Sequence, residues 1–248
     1  MNLKHMTVTG ADDDTNVYGM LELSKDYSFI EWGILFPLVG ASRFPSVKWL
    51  EELKGVFKNK ATSFAAHLCA DDLDNALQNT SKLDLKFFRR IQLNFHGQDF
   101  TDNYRNQQYE PSLSEKATLF SLSEFIQAHS NQSIIFQLDG VNDWWIRQYF
   151  PKHKFPNVQY LFDSSSGAGI LPNSFPIPHK GVICGFAGGL GPKNIESVLY
   201  QFKENLSPKK LFWIDMESQV RTDGELDLNK VGRCAESVAE IIFGKLAI

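Results

Sequence analysis

Eight short apolar runs recur along the chain with helical patterns between most of them, and this alternation restricts the fold more than any other feature. The runs span 6–10, 29–36, 61–69, 90–96, 133–139, 158–163, 181–185 and 210–216. A weak helical pattern reaches Lys25, and Ser46 is placed to cap a helix over 47–57 with Trp49, Leu50 and Leu53 on one face. A short helix is expected from Asp71 or Asp72, a long amphipathic one over 113–129, and another holding Trp144, Trp145 and Tyr149. The last two run from Ile195 through Val198, Leu199 and Phe202, and over 228–243. Eight alternations within 248 residues match a closed (β/α)8 barrel, which takes about 250 residues. A doubly wound open sheet shares the alternation. No linker or shift in composition divides the chain, so one domain over 1–248 is expected. Two stretches break the rhythm, a polar loop over 97–112 and a Ser/Gly/Pro-rich segment over 164–180, and long loops of this kind often carry function.

Alternate side chains on a strand face opposite ways. The fourth run sets Gln92, Asn94 and His96 against Ile91, Leu93 and Phe95. The fifth sets Gln137 and Asp139 against Phe136 and Leu138, and the eighth sets Trp213, Asp215 and Glu217 against Phe212, Ile214 and Met216. The helix-covered outside of a barrel takes the apolar rows, so the polar rows point inward and end at the C-terminal rim, where barrel enzymes do their chemistry. His67 and Asp163 hold comparable places on the third and sixth runs. One such residue is ordinarily a satisfied core group, but five strands ending this way predict a pocket. Asp139, Asp163, Asp215 and Glu217, with Asp12 at the side, would crowd one mouth near few cations (Arg43, Lys193 and Arg221). Crowded carboxylates do not all ionise cheaply, so at least one is expected with a raised pKa, giving a general acid beside a general base. A divalent metal held by His67 and His96 would also relieve the crowding. No tight spacing such as His-x-x-x-His supports it, and no metal or cofactor is assigned. The run Asp12-Asp13-Asp14 reads as a solvated turn and helix start.

The formal charge of −4 and pI near 5.9 leave no basic surplus for nucleic acid or a membrane surface. Cys69, Cys184 and Cys234 are few, scattered and odd in number, which suits a reducing compartment. The N-terminus leads directly into a strand pattern without the apolar core of a signal peptide. The expected setting is cytoplasmic and the expected partner a small molecule.

From the end of the seventh run the chain continues Gly185-Phe186-Ala187-Gly188-Gly189-Leu190-Gly191-Pro192-Lys193-Asn194. A glycine-rich turn between a strand and a helix start can cradle an anion on backbone amides, and Pro192 suits a first helical turn. The same glycines also serve a tight turn that needs positive φ.

Taken together, these segments resemble the phosphoribosylanthranilate isomerase family, (β/α)8 enzymes of tryptophan biosynthesis. Gly188-Gly189-Leu190-Gly191-Pro192-Lys193-Asn194-Ile195 resembles the family's strand-seven phosphate loop, and Ile214-Asp215-Met216-Glu217-Ser218-Gln219-Val220-Arg221 its strand-eight loop. Asp227-Leu228-x-Lys230, Gln92-Leu93-Asn94-Phe95-His96-Gly97, Gly33-Ile34-Leu35-Phe36, Ser42-Arg43-Phe44-Pro45-Ser46 and Leu161-Phe162-Asp163-Ser164 are similar to further family segments in the same order. The resemblance implies an acid–base isomerisation of a ribosylamine phosphate, with Asp163 as the acid and Arg43 orienting the substrate. The family's base, a cysteine ending strand one, falls on Thr9, whose hydroxyl is far too weakly acidic to serve unaided. Glu217 stands where the family's phosphate loop has serine, and Gln219 where it has glycine.

The expectation is therefore a divergent isomerase-like barrel acting on a small sugar-like, phosphorylated or unphosphorylated substrate. Asp163 is the acid and Asp139 or Glu217 the replacement base. Arg43, His67, Asn94, His96 and Asp215 would contact the substrate, whose anionic or polyol end would rest on Gly188, Gly189 and Ser218. Three rival expectations are the family's own activity, a metal-assisted sugar epimerase or hydrolase, and a non-catalytic ligand-binding barrel.

Overall fold

The computed structural model describes residues 2–69, 84–94, 113–138, 143–163, 168–178 and 180–244, with the backbone path alone for 113–118 and 144–145. Eight parallel strands close into a barrel: β1 (Asn2–Thr9), β2 (Ile30–Phe36), β3 (Ser63–Leu68), β4 (Arg90–Leu93), β5 (Ser133–Leu138), β6 (Val158–Phe162), β7 (Cys184–Phe186) and β8 (Leu211–Met216). Closure comes from β1 pairing with β8, where Thr7 lies opposite Asp215. The alternation thus resolves as a (β/α)8 barrel and the open sheet is set aside.

Around it lie α1 (Val17–Asp26), α2 (Val47–Val56), α3 (Leu113–Ala128), α4 (Asp143–Tyr149), α5 (Ile195–Asn205) and α6 (Leu228–Phe243). Their ends carry local signals. Asn16 caps α1 by accepting from the Tyr18 and Gly19 amides, Ser46 caps α2 through the Trp49 amide, and Asp227 caps α6. Gly244 closes α6 at φ 66°, a left-handed position that glycine takes without a Cβ penalty. The outward strand residues Ile91, Phe136, Phe212 and Ile214 join the large core between strands and helices. Inside the barrel a separate apolar group contains Ile135, Leu161, Ala187 and Trp213.

Three local features differ from expectation. The first strand begins at Asn2, four residues before the run recognised in the sequence. The seventh covers Cys184–Phe186 rather than 181–185. Gly185 is an inward position in the middle of this strand, and a Cβ there would stand 2.1 Å from the Trp213 ring. The bulk of Trp213 needs that glycine. Third, a small hairpin pairs β9 (Arg221–Thr222) with β10 (Glu225–Leu226). Its turn, Asp223-Gly224, has φ of 52° and 89°, the two left-handed positions of a tight hairpin turn. The helix expected from Asp71 or Asp72 lies outside the described residues.

Candidate active site at the C-terminal mouth

The inward rows behave as the period of two requires. Gln92, Asn94, Gln137, Asp163, Asp215 and Glu217 all line one cavity of about 360 Å³ at the C-terminal end of the barrel. Arg43, His67, Gly188, Gly189 and Ser218 line it too, as do Thr9 and Cys69. Asp139 and His96 lie outside the described residues. Lys193, expected among the mouth's cations, instead borders a separate cavity with Lys230 and Arg233. It lies in the turn between Pro192 and the start of α5 at Ile195. Asp12, expected at the mouth's edge, is buried and bonded rather than solvated.

The charged groups form a ring of pairs at the rim. Arg43 reaches Glu217 with Nε to Oε1 at 2.7 Å. Its backbone is left-handed at φ 71°, held there by its amide donating to Asp12 Oδ2 at 2.7 Å. Arg221 reaches the same Asp12 oxygen, Nη2 to Oδ2 at 3.1 Å, and also donates to the Gly10 and Gly224 carbonyls. The β9–β10 hairpin supplies that second carbonyl, which is how it aims Arg221. Burial pushes the Glu217 carboxyl above its ordinary range, Arg43 and Arg221 pull it back, and Asp163 pushes it up again.

Below the rim the polar groups are mostly neutral. Asp163 accepts from Gln137 Nε2 at 3.0 Å. Asp215 accepts from Thr9 Oγ1 at 2.9 Å, and burial raises its pKa well above the usual carboxylate value against that bond. Gln92 donates to Asn94 Oδ1 at 2.9 Å, and Asn94 donates to Cys69 Sγ at 3.0 Å. Burial lowers the His67 pKa to about 4, with Glu31 opposing and Arg90 adding, so its imidazole is neutral near pH 7. Among the described residues His67 Nε2 and Gln92 Oε1 have no hydrogen-bond partner, although both residues are almost fully buried.

Deeper still, the barrel holds an ion pair that the sequence reading missed. Arg90 Nη1 meets Glu31 Oε1 at 2.6 Å, its Nη2 donates to Gln159 at 3.3 Å, and its guanidinium lies 4.1 Å from the Trp213 ring. Glu31 accepts further from Thr7 and Ser63. The signal available was a single acidic residue inside an otherwise apolar second strand. Gln92 and Gln137 stood in the recognised polar rows but were not singled out as site residues. Among the described residues no three potential metal ligands cluster together, and no helix is long and apolar enough to cross a membrane.

No protein-family model matches the chain, and no curated protein matches it. Solved structures do resemble it. Phosphoribosyl anthranilate isomerase from Thermotoga maritima aligns with 96% of this chain and 98% of its own, at TM-score 0.60 and 15% identity. A truncated 3-deoxy-D-arabino-heptulosonate 7-phosphate synthase from Thermotoga maritima aligns with 98% of this chain and 88% of its own, at TM-score 0.57 and 8% identity. Thiamine phosphate pyrophosphorylase from Pyrococcus furiosus aligns with 96% and 97%, at TM-score 0.50 and 12% identity. At these identities the likeness is one of fold, and a fold of this kind hosts many chemistries.

Proposed function

We propose that the chain is one catalytic unit that performs acid–base isomerisation on a small sugar-like substrate bound at the C-terminal mouth of the barrel. The observation that carries this reading is the placement of Asp163 and Glu217 on one cavity in unlike surroundings. Asp163 accepts a bond from a buried glutamine, whereas burial raises Glu217 and Arg43 pairs with it. Two carboxyl groups in contrasting environments are what an acid–base pair needs. Glu217, raised toward its protonated form, would give a proton to the carbonyl or imine acceptor while Asp163 takes the proton from the adjacent carbon, the reverse of the roles expected from the sequence. The C–H electron pair becomes the C=C bond of an enediol-like intermediate, and Asp163 returning its proton to the former carbonyl carbon while Glu217 takes the remaining hydroxyl proton completes the isomerisation. Arg43, His67, Asn94 and Asp215 would position the substrate, with Gly188, Gly189 and Ser218 along one wall.

The similarity to phosphoribosyl anthranilate isomerase suggests that enzyme's activity as a second reading, but Thr9 ends β1 with its hydroxyl donated to Asp215 and offers no thiol base. The gene is expected not to rescue a tryptophan auxotroph lacking that isomerase. The main test follows exchange of substrate C–H for deuterium by proton NMR, using aldoses, ketoses and their phosphate esters in D2O. At least one should exchange, and Asp163→Asn and Glu217→Gln should each slow it by about 10²-fold or more. Exchange at the wild-type rate in both variants, or in no compound at all, defeats the proposal.

A further inference from the structure

Two independent observations narrow the ligand. The first is the neutral deep end of the cavity, where His67 and Gln92 face each other in register on β3 and β4. His67 is 2% exposed and Gln92 4%. Their Nε2 and Oε1 atoms nevertheless lack a partner among the described residues. Buried polar atoms are rarely left this way, because each forgoes the bond it made in water. The Gln92 amide nitrogen is already committed to Asn94, so only its carbonyl oxygen is on offer, and that oxygen accepts. The neutral imidazole can donate or accept. A hydroxyl, which is both donor and acceptor, satisfies either atom.

The second observation concerns the glycine-rich turn. A Cβ on Gly188 would meet the Ile170 carbonyl oxygen at 2.8 Å, and one on Gly189 would meet the Gly169 carbonyl oxygen and the Leu171 nitrogen, each at 2.7 Å. A Cβ on Gly169 would fall 2.0 Å from Ser218 Oγ. The main chain from Gly169 to Leu171 therefore lies across the turn and against Ser218, and it brings the Gly169 and Ile170 carbonyl oxygens close to Gly189 and Gly188. Among the described residues the two rim guanidiniums are both already paired, Arg43 with Glu217 and Arg221 with Asp12. The described lining carries three carboxyl groups against these two guanidiniums.

We infer that the cavity takes an uncharged sugar or polyol, hydroxyl end inward on His67 and Gln92, and that its glycine turn seats the protein's own 169–171 segment instead of a phosphate. This rests on the proposed sugar chemistry for the ligand class, but its evidence is the binding surface alone.

The test titrates nitrogen-15-labelled protein with D-ribose, D-xylose, D-glucose, D-fructose and ribitol, and separately with ribose 5-phosphate and inorganic phosphate. The His67 ring signals are assigned by their loss in His67→Phe. At least one free sugar or polyol should shift those signals saturably, and Gln92→Leu should weaken that binding about fivefold or more. Ribose 5-phosphate should bind no tighter than D-ribose, and inorganic phosphate should leave the Gly188 and Gly189 amide signals unmoved. The inference is overturned if no member of the panel moves His67, if the phosphate ester binds tenfold tighter, or if phosphate moves the two glycine amides. Sugar binding without deuterium exchange would sink the proposed catalysis and keep this inference. Exchange confined to phosphate esters would do the reverse.

Discussion

The barrel contains two buried polar layers, and they are finished to different degrees. At the floor, Glu31 accepts from Arg90, Thr7 and Ser63, while Arg90 bonds Gln159 and lies against Trp213. Among the described floor residues Arg90 Nε alone is left over, on a guanidinium whose other nitrogens are engaged. At the mouth, two neutral residues each leave a buried atom without a partner among the described residues, and a carboxyl is pushed toward its neutral form. A polar network that satisfies itself is a structural device, whereas one that stays open is built for something else to complete it. The contrast separates residues that hold the barrel from residues that would work in it, although both kinds are equally buried.

The largest expected effect is at the floor. Arg90→Met leaves the Glu31 carboxylate buried without its partner and should cost about 3–5 kcal/mol, read as a lower urea midpoint with an unchanged slope. The double variant Glu31→Gln/Arg90→Met removes the stranded charge and should recover at least half of the loss. A single-variant cost below about 1 kcal/mol would mean that the floor is not the load carrier it is taken to be.

Acid should erode both layers, with signs that can be worked out separately. Burial alone would raise the Glu31 carboxyl, but Arg90, His5 and two hydroxyl bonds hold it below its ordinary value. Its stabilisation is therefore present above the unfolded pKa of about 4.3 and is lost as pH falls through the lower folded value. His67 acts at higher pH. Its folded pKa is about 4, against about 6.5 when unfolded, so between these values the unfolded chain binds more protons. Stability should drop as pH falls from about 6.5 to about 4, with His67 contributing up to about 3 kcal/mol of the loss. His67→Gln should flatten the stability curve across that window in denaturant titrations at several pH values. An unchanged slope would show that His67 is not a buried neutral imidazole.

These layers also mark how far the sequence could be read. The fold was legible because eight short apolar runs alternate with helical patterns, and each of those patterns is local. The site was legible where a polar row ran to a strand's end, as with Asn94, Asp163 and Glu217. The floor was not, because Glu31 and Arg90 are 59 positions apart and nothing near either one announces the other. Phe186 misled for a related reason. Beside Gly188 and Gly189 it looks like part of a turn, and only its pairing with Ile214 across the ladder makes it a strand residue. The Asp223-Gly224 turn was a readable signal that went unused. The covering of Gly188 and Gly189 by 169–171 depends on how a long loop folds back, which local sequence does not encode.

A smaller effect is expected at the wall between the layers. Gly33 faces inward on β2, and a Cβ there would come 2.4 Å from Thr9 Oγ1 and 2.9 Å from His67 Nε2. Gly33→Ala should cost about 1–3 kcal/mol by overpacking, and should disturb the Thr9–Asp215 bond. Gly55, exposed on α2 with nothing within 4 Å of its would-be Cβ, is the matched control. There alanine should stabilise by about 0.5–1 kcal/mol through helix propensity. If the two substitutions behave alike in thermal unfolding, the packing around Thr9 and His67 is looser than these distances require.

The smallest effect is the most informative about the mouth. Gln92 is as buried as the floor residues, so a purely structural role predicts a clear loss of stability in Gln92→Leu. Its carbonyl oxygen, however, makes no bond among the described residues, and its amide makes one, to Asn94. Leucine is of similar size, so removing the amide relieves one unmet acceptor while giving up one neutral hydrogen bond. These terms are each about 1 kcal/mol and oppose each other. Gln92→Leu should therefore unfold within about 0.5 kcal/mol of wild type, or slightly above it, while losing the sugar binding expected at His67. A loss near that of Arg90→Met would put Gln92 with the floor, as a residue that holds the barrel rather than one that meets a ligand.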